Sequence, residues 1–309
     1  MSKSLPQKTR DYDGHPIING ARWQSYNHRP GDIVVTTSYK AGTTWMQTIV
    51  ANLLFQDGNM PAPVTAMSPW LDMDVIPLEE ILAGLEAQTQ RRAIKTHLPL
   101  DGIPYYDTMK YIYVCRDGRD VFMSFWNHHS NYSEEISGLF TAKATEYGRE
   151  FKLDYTDIHE FFADWISHSW FDWESDGYPC WSHFSHIQSW WDYRHLDNIH
   201  FVHFNDLLSD PEAAIRKIAA YLDIEIDEEL MPGILERISF GSMKKNFTKI
   251  MPESADIWKK GGDNFMNKGT NGRWRGVLTD QELEQYDAAV KRVMTPDAAH
   301  WLENGGIVG

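Results

Sequence analysis

The chain has 309 residues, 42% apolar and 24% charged, with 29 Lys and Arg against 44 Asp and Glu and a formal charge of −15. This is the composition of a globular protein with a sizeable core, not of a disordered chain. The charge argues against a general binder of nucleic acid or of an anionic membrane surface, so an anionic ligand would need a local pocket of amides and cations.

The two cysteines, Cys115 and Cys180, make neither a disulfide framework nor a zinc cluster, in keeping with a reducing compartment. No apolar run reaches the ~20 residues of a membrane span, and residues 1–14 lack the apolar stretch of a secretory signal. A cytoplasmic location is therefore expected.

In chain order, a polar start ends on the turn signal Arg29-Pro30-Gly31-Asp32. The β-branched run 33–37 predicts a buried parallel strand. After the loop 38–42, Trp45, Met46, Ile49, Val50 and Leu53 recur at helical spacing and predict a helix over 43–54. Further strands are predicted over 93–97, 111–115 and 199–204. The second of these leads into a helix ending at His129, and the third into a helix over 212–222 with Asp210 as its cap and Pro211 at its first position.

Alternating strands and helices predict an α/β fold: a single domain over 1–309 with a parallel central sheet flanked by helices on both faces. The aromatic-rich section from about 130 to 196 reads as a helical insertion or cap. The stretch 241–278 carries Lys244, Lys245, Lys249, Lys259, Lys260, Lys268, Arg273 and Arg275. It is either a solvated surface loop or a segment that folds over an anionic ligand.

The loop Tyr39-Lys40-Ala41-Gly42-Thr43-Thr44-Trp45 stands between strand and helix. The helix start offers unpaired N–H groups and the positive end of its dipole, Gly42 permits close approach, the threonines add hydroxyls and Lys40 adds a full charge. The same residues also suit a tight βα turn with ordinary threonine capping. The order is not that of a nucleotide-triphosphatase loop, in which lysine directly follows the last glycine.

Lys40-Ala41-Gly42-Thr43-Thr44-Trp45 resembles the 5′-phosphosulfate loop, K-x-G-T-T-W, of the cytosolic-type sulfotransferases. Three further segments resemble that family in its order. They are Lys95-Thr96-His97-Leu98-Pro99, Arg116 with Ser124 eight residues on, and Lys268-Gly269 followed by Gly272-x-Trp274. The motifs span residues 33 to 284.

The resemblance implies a P-loop-like fold, 3′-phosphoadenosine 5′-phosphosulfate (PAPS) as donor, and a hydroxyl or amine of a small molecule as acceptor. It assigns Arg116, Ser124, Asn267, Lys268 and Gly269 to the 3′-phosphate, and Trp45, Ser239 and Phe240 to the adenine.

In such a site Lys40 would neutralise the leaving phosphate oxygen. His97, whose ordinary pKa lies near neutrality, would take the acceptor proton. Lys95, two residues away on the same strand face, would stabilise the transferring oxygens. No metal is required, because lysines and amides supply the counter-charge. Each residue also admits a plainer role: His97 as a core histidine, Arg116 in a salt bridge with Asp117 or Asp120, Trp45 in simple packing. His128 and His129 read as structural or pocket-lining.

Three positions depart from the family pattern. Asn267 replaces an arginine, so donor affinity falls unless Arg273 or Arg275 substitutes. Phe204 replaces a tyrosine that contacts adenine. Asp280 replaces an apolar residue in the dimer segment Arg275-x-x-x-Thr279-Asp280-x-x-x-Glu284, which leaves the oligomeric state open.

For the acceptor, Trp165, Trp170, Phe171, Trp173, Tyr178, Trp181 and Phe184 either line a pocket for a flat, apolar molecule or fill the cap. The rival readings are a phosphoryl transferase, for which no Mg²⁺-binding aspartate is found at a strand end, and a nucleotide-binding module without turnover.

Overall fold

The computed structural model describes residues 4–259, 265–306 and 308. Residues 260–264 of the cationic stretch, Lys260 among them, and positions 1–3, 307 and 309 of the expected domain, lie outside them. The sheet has four parallel strands in the order β2-β1-β3-β4: β1 Ile33–Thr36, β2 Ala93–Thr96, β3 Lys110–Cys115 and β4 Ile199–His203. Thr36 lies opposite both Thr96 and Tyr113, and Cys115 opposite His203, so β1 and β2 end together, two residues short of β3 and β4. The chain steps from β1 to β2 on one side and then crosses back over β1 to β3 on the other, and ligands in open α/β sheets sit at such a reversal, beyond the carboxyl ends of the strands.

Side-chain alternation along the strands divides the core between two faces. Ile33, Val35, Ile112 and Val114 pack on α1 (Thr43–Leu54) and on the helices Pro211–Tyr221 and Met231–Ile238. Val34, Ile94, Tyr111, Tyr113 and Cys115 face the aromatic section. Its helices Ile158–Ser167 and His183–Trp191 bury Phe161, Trp165, Phe184 and Trp190 in one cluster with those strand residues. The tryptophan-rich stretch therefore packs directly on the sheet.

At the base of the sheet, the buried Arg92 and Asp32 form an ion pair at 2.6 Å, with Asp32 also accepting from the Tyr26 hydroxyl. These charges stand immediately before β2 and β1 and tie the two strand starts together.

Three strands are one residue shorter than predicted, β2 stopping at Thr96 just before His97. β1 stops at Thr36, and Thr37 turns to meet His97. β4 stops at His203, whose Nδ1 accepts the Asn205 N–H at 3.2 Å and starts a short helix at Phe204. Thr279 caps the helix Asp280–Val293 reciprocally with Glu282, and Arg275, Asp280 and Glu284 of the degraded dimer segment are exposed.

Candidate active site

One cavity of about 900 Å³ lies at the carboxyl ends of the strands. Of the residues expected at the site, Ala41 alone does not line it; its side chain is buried in the core.

The loop after β1 is a cradle. Lys40 and Gly42 adopt left-handed conformations, with φ of 51° and 112°. At Gly42 the left-handed backbone disfavours any side chain, and a Cβ would also crowd the Phe204 ring at 3.1 Å. No side chain caps α1, so its first N–H groups have no side-chain acceptor, and Thr43 to Trp45 at its start line the cavity. Thr44 and Trp45 line the opening, and Trp45 meets Phe204 edge-on at 5.2 Å. The Thr43 hydroxyl instead turns inward to the Thr37 hydroxyl at 2.7 Å.

The loop is clamped from behind by the aromatic section. Trp181 Nε1–H donates to the Ser38 carbonyl at 3.0 Å, Trp165 Nε1–H to the Tyr39 hydroxyl at 2.8 Å, and Ser38 Oγ lies 2.6 Å from His183 Nδ1. The sequence reading missed these supports; their only trace was the density of indoles.

Three basic side chains converge in the cavity. Lys40 Nζ lies 3.1 Å from His128 Nδ1 and 4.0 Å from the Phe265 ring centroid. Burial, then the charges of Lys95 and Arg116, push its pKa down to about 7. Lys95 Nζ sits 4.2 Å from the Trp70 ring centroid. Burial lowers its pKa to about 8, opposed by Asp72 and Glu253.

His97 follows the last residue of β2, and its Nδ1 lies 2.9 Å from the Thr37 carbonyl oxygen. A carbonyl only accepts, so Nδ1 carries the proton and Nε2 keeps its lone pair. Burial and the Lys95 charge hold the imidazole well below the ordinary histidine range.

The C-terminal loop closes one side of the cavity. Arg116 donates to Asn271 Oδ1 at 2.9 Å and to the Thr270 carbonyl at 3.0 Å, and its guanidinium lies 4.3 Å from the Phe204 ring centroid. The sequence alternative of a salt bridge to Asp117 or Asp120 is not what forms. Asp117 pairs with Arg119 at 2.7 Å, and Asp120 accepts the Gly272 and Arg273 N–H groups.

Ser124 and Lys268 also line the cavity. Asn267 lines it too, but its amide donates to Asn127 Oδ1 at 2.7 Å. Gly269, at φ 65°, packs so closely on Phe240 that a Cβ would come within 2.5 Å of that ring. Ser239 caps the short helix beginning at Phe240. Of the two arginines named as replacements for the missing cation, Arg273 faces the cavity, whereas Arg275 covers the Trp274 ring at 4.4 Å.

Of the two alternatives for the aromatic section, most of its named rings take the second and do not line the cavity. Of the seven named, Trp181 alone lines the cavity; Trp165, Trp170, Phe171 and Phe184 are core, Trp173 is 42% exposed, and Tyr178 packs on His168. The apolar wall consists of Trp70, Ile81, Tyr132, Phe140, Trp258 and Phe265, drawn from distant segments that no local pattern connects. His128 lines the cavity, whereas His129 is buried among Phe125, Tyr155 and Phe161. Among the described residues, no three His, Cys, Asp or Glu side chains gather as a metal site.

Residues 30–297 match a family model described as a sulfotransferase domain. The chain is 28% identical to a glycolipid sulfotransferase of Mycobacterium tuberculosis over 99% of its own length and 98% of that protein. It is 31% identical to sulfotransferase 1B1 of Mus musculus, over 91% of this chain and 90% of that one. Among solved structures, retinol dehydratase in complex with retinol and 3′-phosphoadenosine 5′-phosphate (PAP) is similar with a TM-score of 0.69 and 22% identity, over 90% of this chain and 85% of that one. Mouse sulfotransferase SULT7A1 complexed with PAP is similar with a TM-score of 0.67 and 20% identity, over 92% of each chain.

Proposed function

The chain belongs to the sulfotransferase family, and on that premise we propose that it moves a sulfuryl group from PAPS to a hydroxyl or amine of a small, apolar or aromatic acceptor. The observation that carries this reading is the meeting, in one cavity, of an uncapped helix start with Lys40, Lys95 and a His97 whose Nε2 is free. The cavity fits a multiply charged anion: its lysines are buried cations whose charged forms burial disfavours and a bound anion would stabilise. PAPS, when bound, supplies an activated sulfuryl group on a phosphate leaving group.

The remaining roles fall to the chain itself. Gly42 to Trp45 hold the phosphosulfate end through backbone N–H groups, and Lys40 neutralises charge on the leaving oxygen. Lys95 stabilises the transferring oxygens. His97 Nε2 takes the acceptor proton while Nδ1–H stays bonded to Thr37. Arg116, Ser124, Lys268 and Gly269 hold the 3′-phosphate, with Arg273 in place of the arginine that Asn267 lacks. Trp45, Ser239 and Phe240 flank the adenine. The wall formed by Trp70, Tyr132, Phe140 and Trp258 selects an apolar acceptor.

No metal enters these steps, because the lysines and amides carry the counter-charge. A cytoplasmic location accords with two free, buried cysteines. No helix among the described residues is long and apolar enough to cross a membrane.

Calorimetric titration with PAP, run beside ATP–Mg²⁺, tests the donor site. The expected result is tight binding of PAP and none of ATP. Binding of ATP alone would favour phosphoryl transfer, and binding of neither would contradict the donor assignment.

A further inference from the structure

Residues 69–73 run alongside β2. Lys95 N–H donates to the Pro69 carbonyl at 2.9 Å, Leu71 N–H donates to the Lys95 carbonyl at 3.1 Å, and Trp70 and Lys95 are parallel bridge partners. This path buries the Asp72 side chain completely. Its Oδ2 accepts the Trp70 indole N–H at 2.9 Å and the His97 main-chain N–H at 3.3 Å. The indole held in this way lines the cavity. It carries the Lys95 ammonium 4.2 Å from its ring centroid and meets the His97 ring at 4.6 Å and 90°.

We propose that Trp70 and Asp72 are positioning residues for sulfuryl transfer: Trp70 fixes the Lys95 ammonium against the His97 imidazole, and Asp72 fixes both Trp70 and the His97 main chain. This rests on the roles given above to Lys95 and His97.

A free lysine side chain samples many rotamers, and an indole face attracts its ammonium more strongly than a phenyl face does. Phenylalanine at position 70 would also leave the buried Asp72 without its indole donor. Misplacing a reacting group by about 1 Å costs on the order of 10²-fold in rate.

Asp72 acts on Lys95 by charge as well. Around the ammonium, Asp72 and Glu253 favour its protonated form, whereas Lys40, His97 and His128 bring positive charge or compete for protons. Burial pushes the Asp72 carboxyl up, and the bonds from Trp70, Thr96 and the His97 main chain pull it back toward ionisation. Removing the Asp72 charge therefore makes Lys95 lose its proton at lower pH.

The test uses the full chain with Trp70→Leu, Trp70→Phe and Asp72→Asn. It reads PAP affinity by calorimetry, thermal melting, kcat and KM for a phenol, and the Lys95 titration by lysine NMR assigned with Lys95→Ala. Trp70→Leu should lower kcat about 10- to 100-fold, leave PAP affinity and melting unchanged, and be partly rescued by Trp70→Phe. Asp72→Asn should move the Lys95 titration and the alkaline limb of kcat/KM to lower pH by about 1. If Asp72→Asn does not fold, the Trp70 pair decides alone.

The proposal is overturned if the Lys95 titration stays where it is in Trp70→Leu and Asp72→Asn, or if activity falls only in step with PAP affinity and melting. Failure of the wild-type chain to bind PAP would instead contradict the donor reading, and the Lys95 titration would still decide the positioning role.

Discussion

The contact between His97 Nδ1 and the Thr37 carbonyl, at 2.9 Å, decides which way a proton can move. It leaves Nε2 as the basic atom, and the depressed pKa keeps that atom unprotonated through neutrality. His97→Ala should therefore lower turnover by roughly 10²-fold or more while PAP binding survives, a pairing that steady-state kinetics and calorimetry check together. Lys40 and Lys95 make a second prediction. Without an anion their pKa values lie at about 7 and about 8, and a bound polyanion raises both. At pH 8 PAP binding should draw protons from solution, so its enthalpy should differ between buffers of different ionisation heat; equal enthalpies would contradict this. Lys40, Lys95 and His97 were legible in the sequence because each stands at a strand end or in a short motif. Trp70, Tyr132 and Trp258 were not, because the cavity wall forms only when separate segments meet.

The elements place these groups with little freedom. Predicted strand positions fell within a residue of the observed ends, since β-branched runs bounded by turn signals mark buried parallel strands. Hydrogen bonding settled what periodicity could not, as where the His203 side chain ends β4 and begins a helix. That the C-terminal loop could fold over an anion was one of the sequence alternatives, but what holds it there was hidden. Asp120 holds it by the N–H groups of Gly272 and Arg273, and Asp120→Ala should weaken PAP binding by about 10-fold while leaving kcat nearly unchanged at saturating donor. The Asp32–Arg92 pair ties β1 to β2 below the site. Breaking it with Asp32→Ala leaves the buried guanidinium with Glu86, at 2.9 Å, as its remaining carboxylate partner and should cost about 3 kcal/mol, read as a lowered urea midpoint.

At the scale of the molecule, burial divides the titratable groups into opposing sets. His15, His128, His129, His183 and His186 are buried with lowered pKa values, so the unfolded chain binds more protons than the folded one below about pH 6.5. Glu174 and Asp176, raised to about 8 and about 6, act in the opposite sense together with Asp72, Asp101, Asp120, Glu303 and His159, but these seven are fewer than the eight histidines once His97, His200 and His203, also lowered, are counted. Stability should therefore fall as pH drops from 6.5 toward 4.5, faster than the carboxylates alone would allow; a flat or rising urea midpoint across that range would contradict this. The acidic whole and the basic cavity are consistent, because the cations are concentrated where the strands end. Composition revealed the first fact, and only the fold brings the cations together.

The most direct measurement is transfer from radiolabelled PAPS to a panel of phenols and alcohols, comparing the full chain with His97→Ala and Lys40→Ala. The account predicts labelled sulfate ester from the unaltered chain without added metal, and a loss of roughly 10²-fold or more in each variant. Transfer that survives His97→Ala undiminished would contradict the assignment of the base, and absence of transfer to any hydroxyl would contradict the reaction itself.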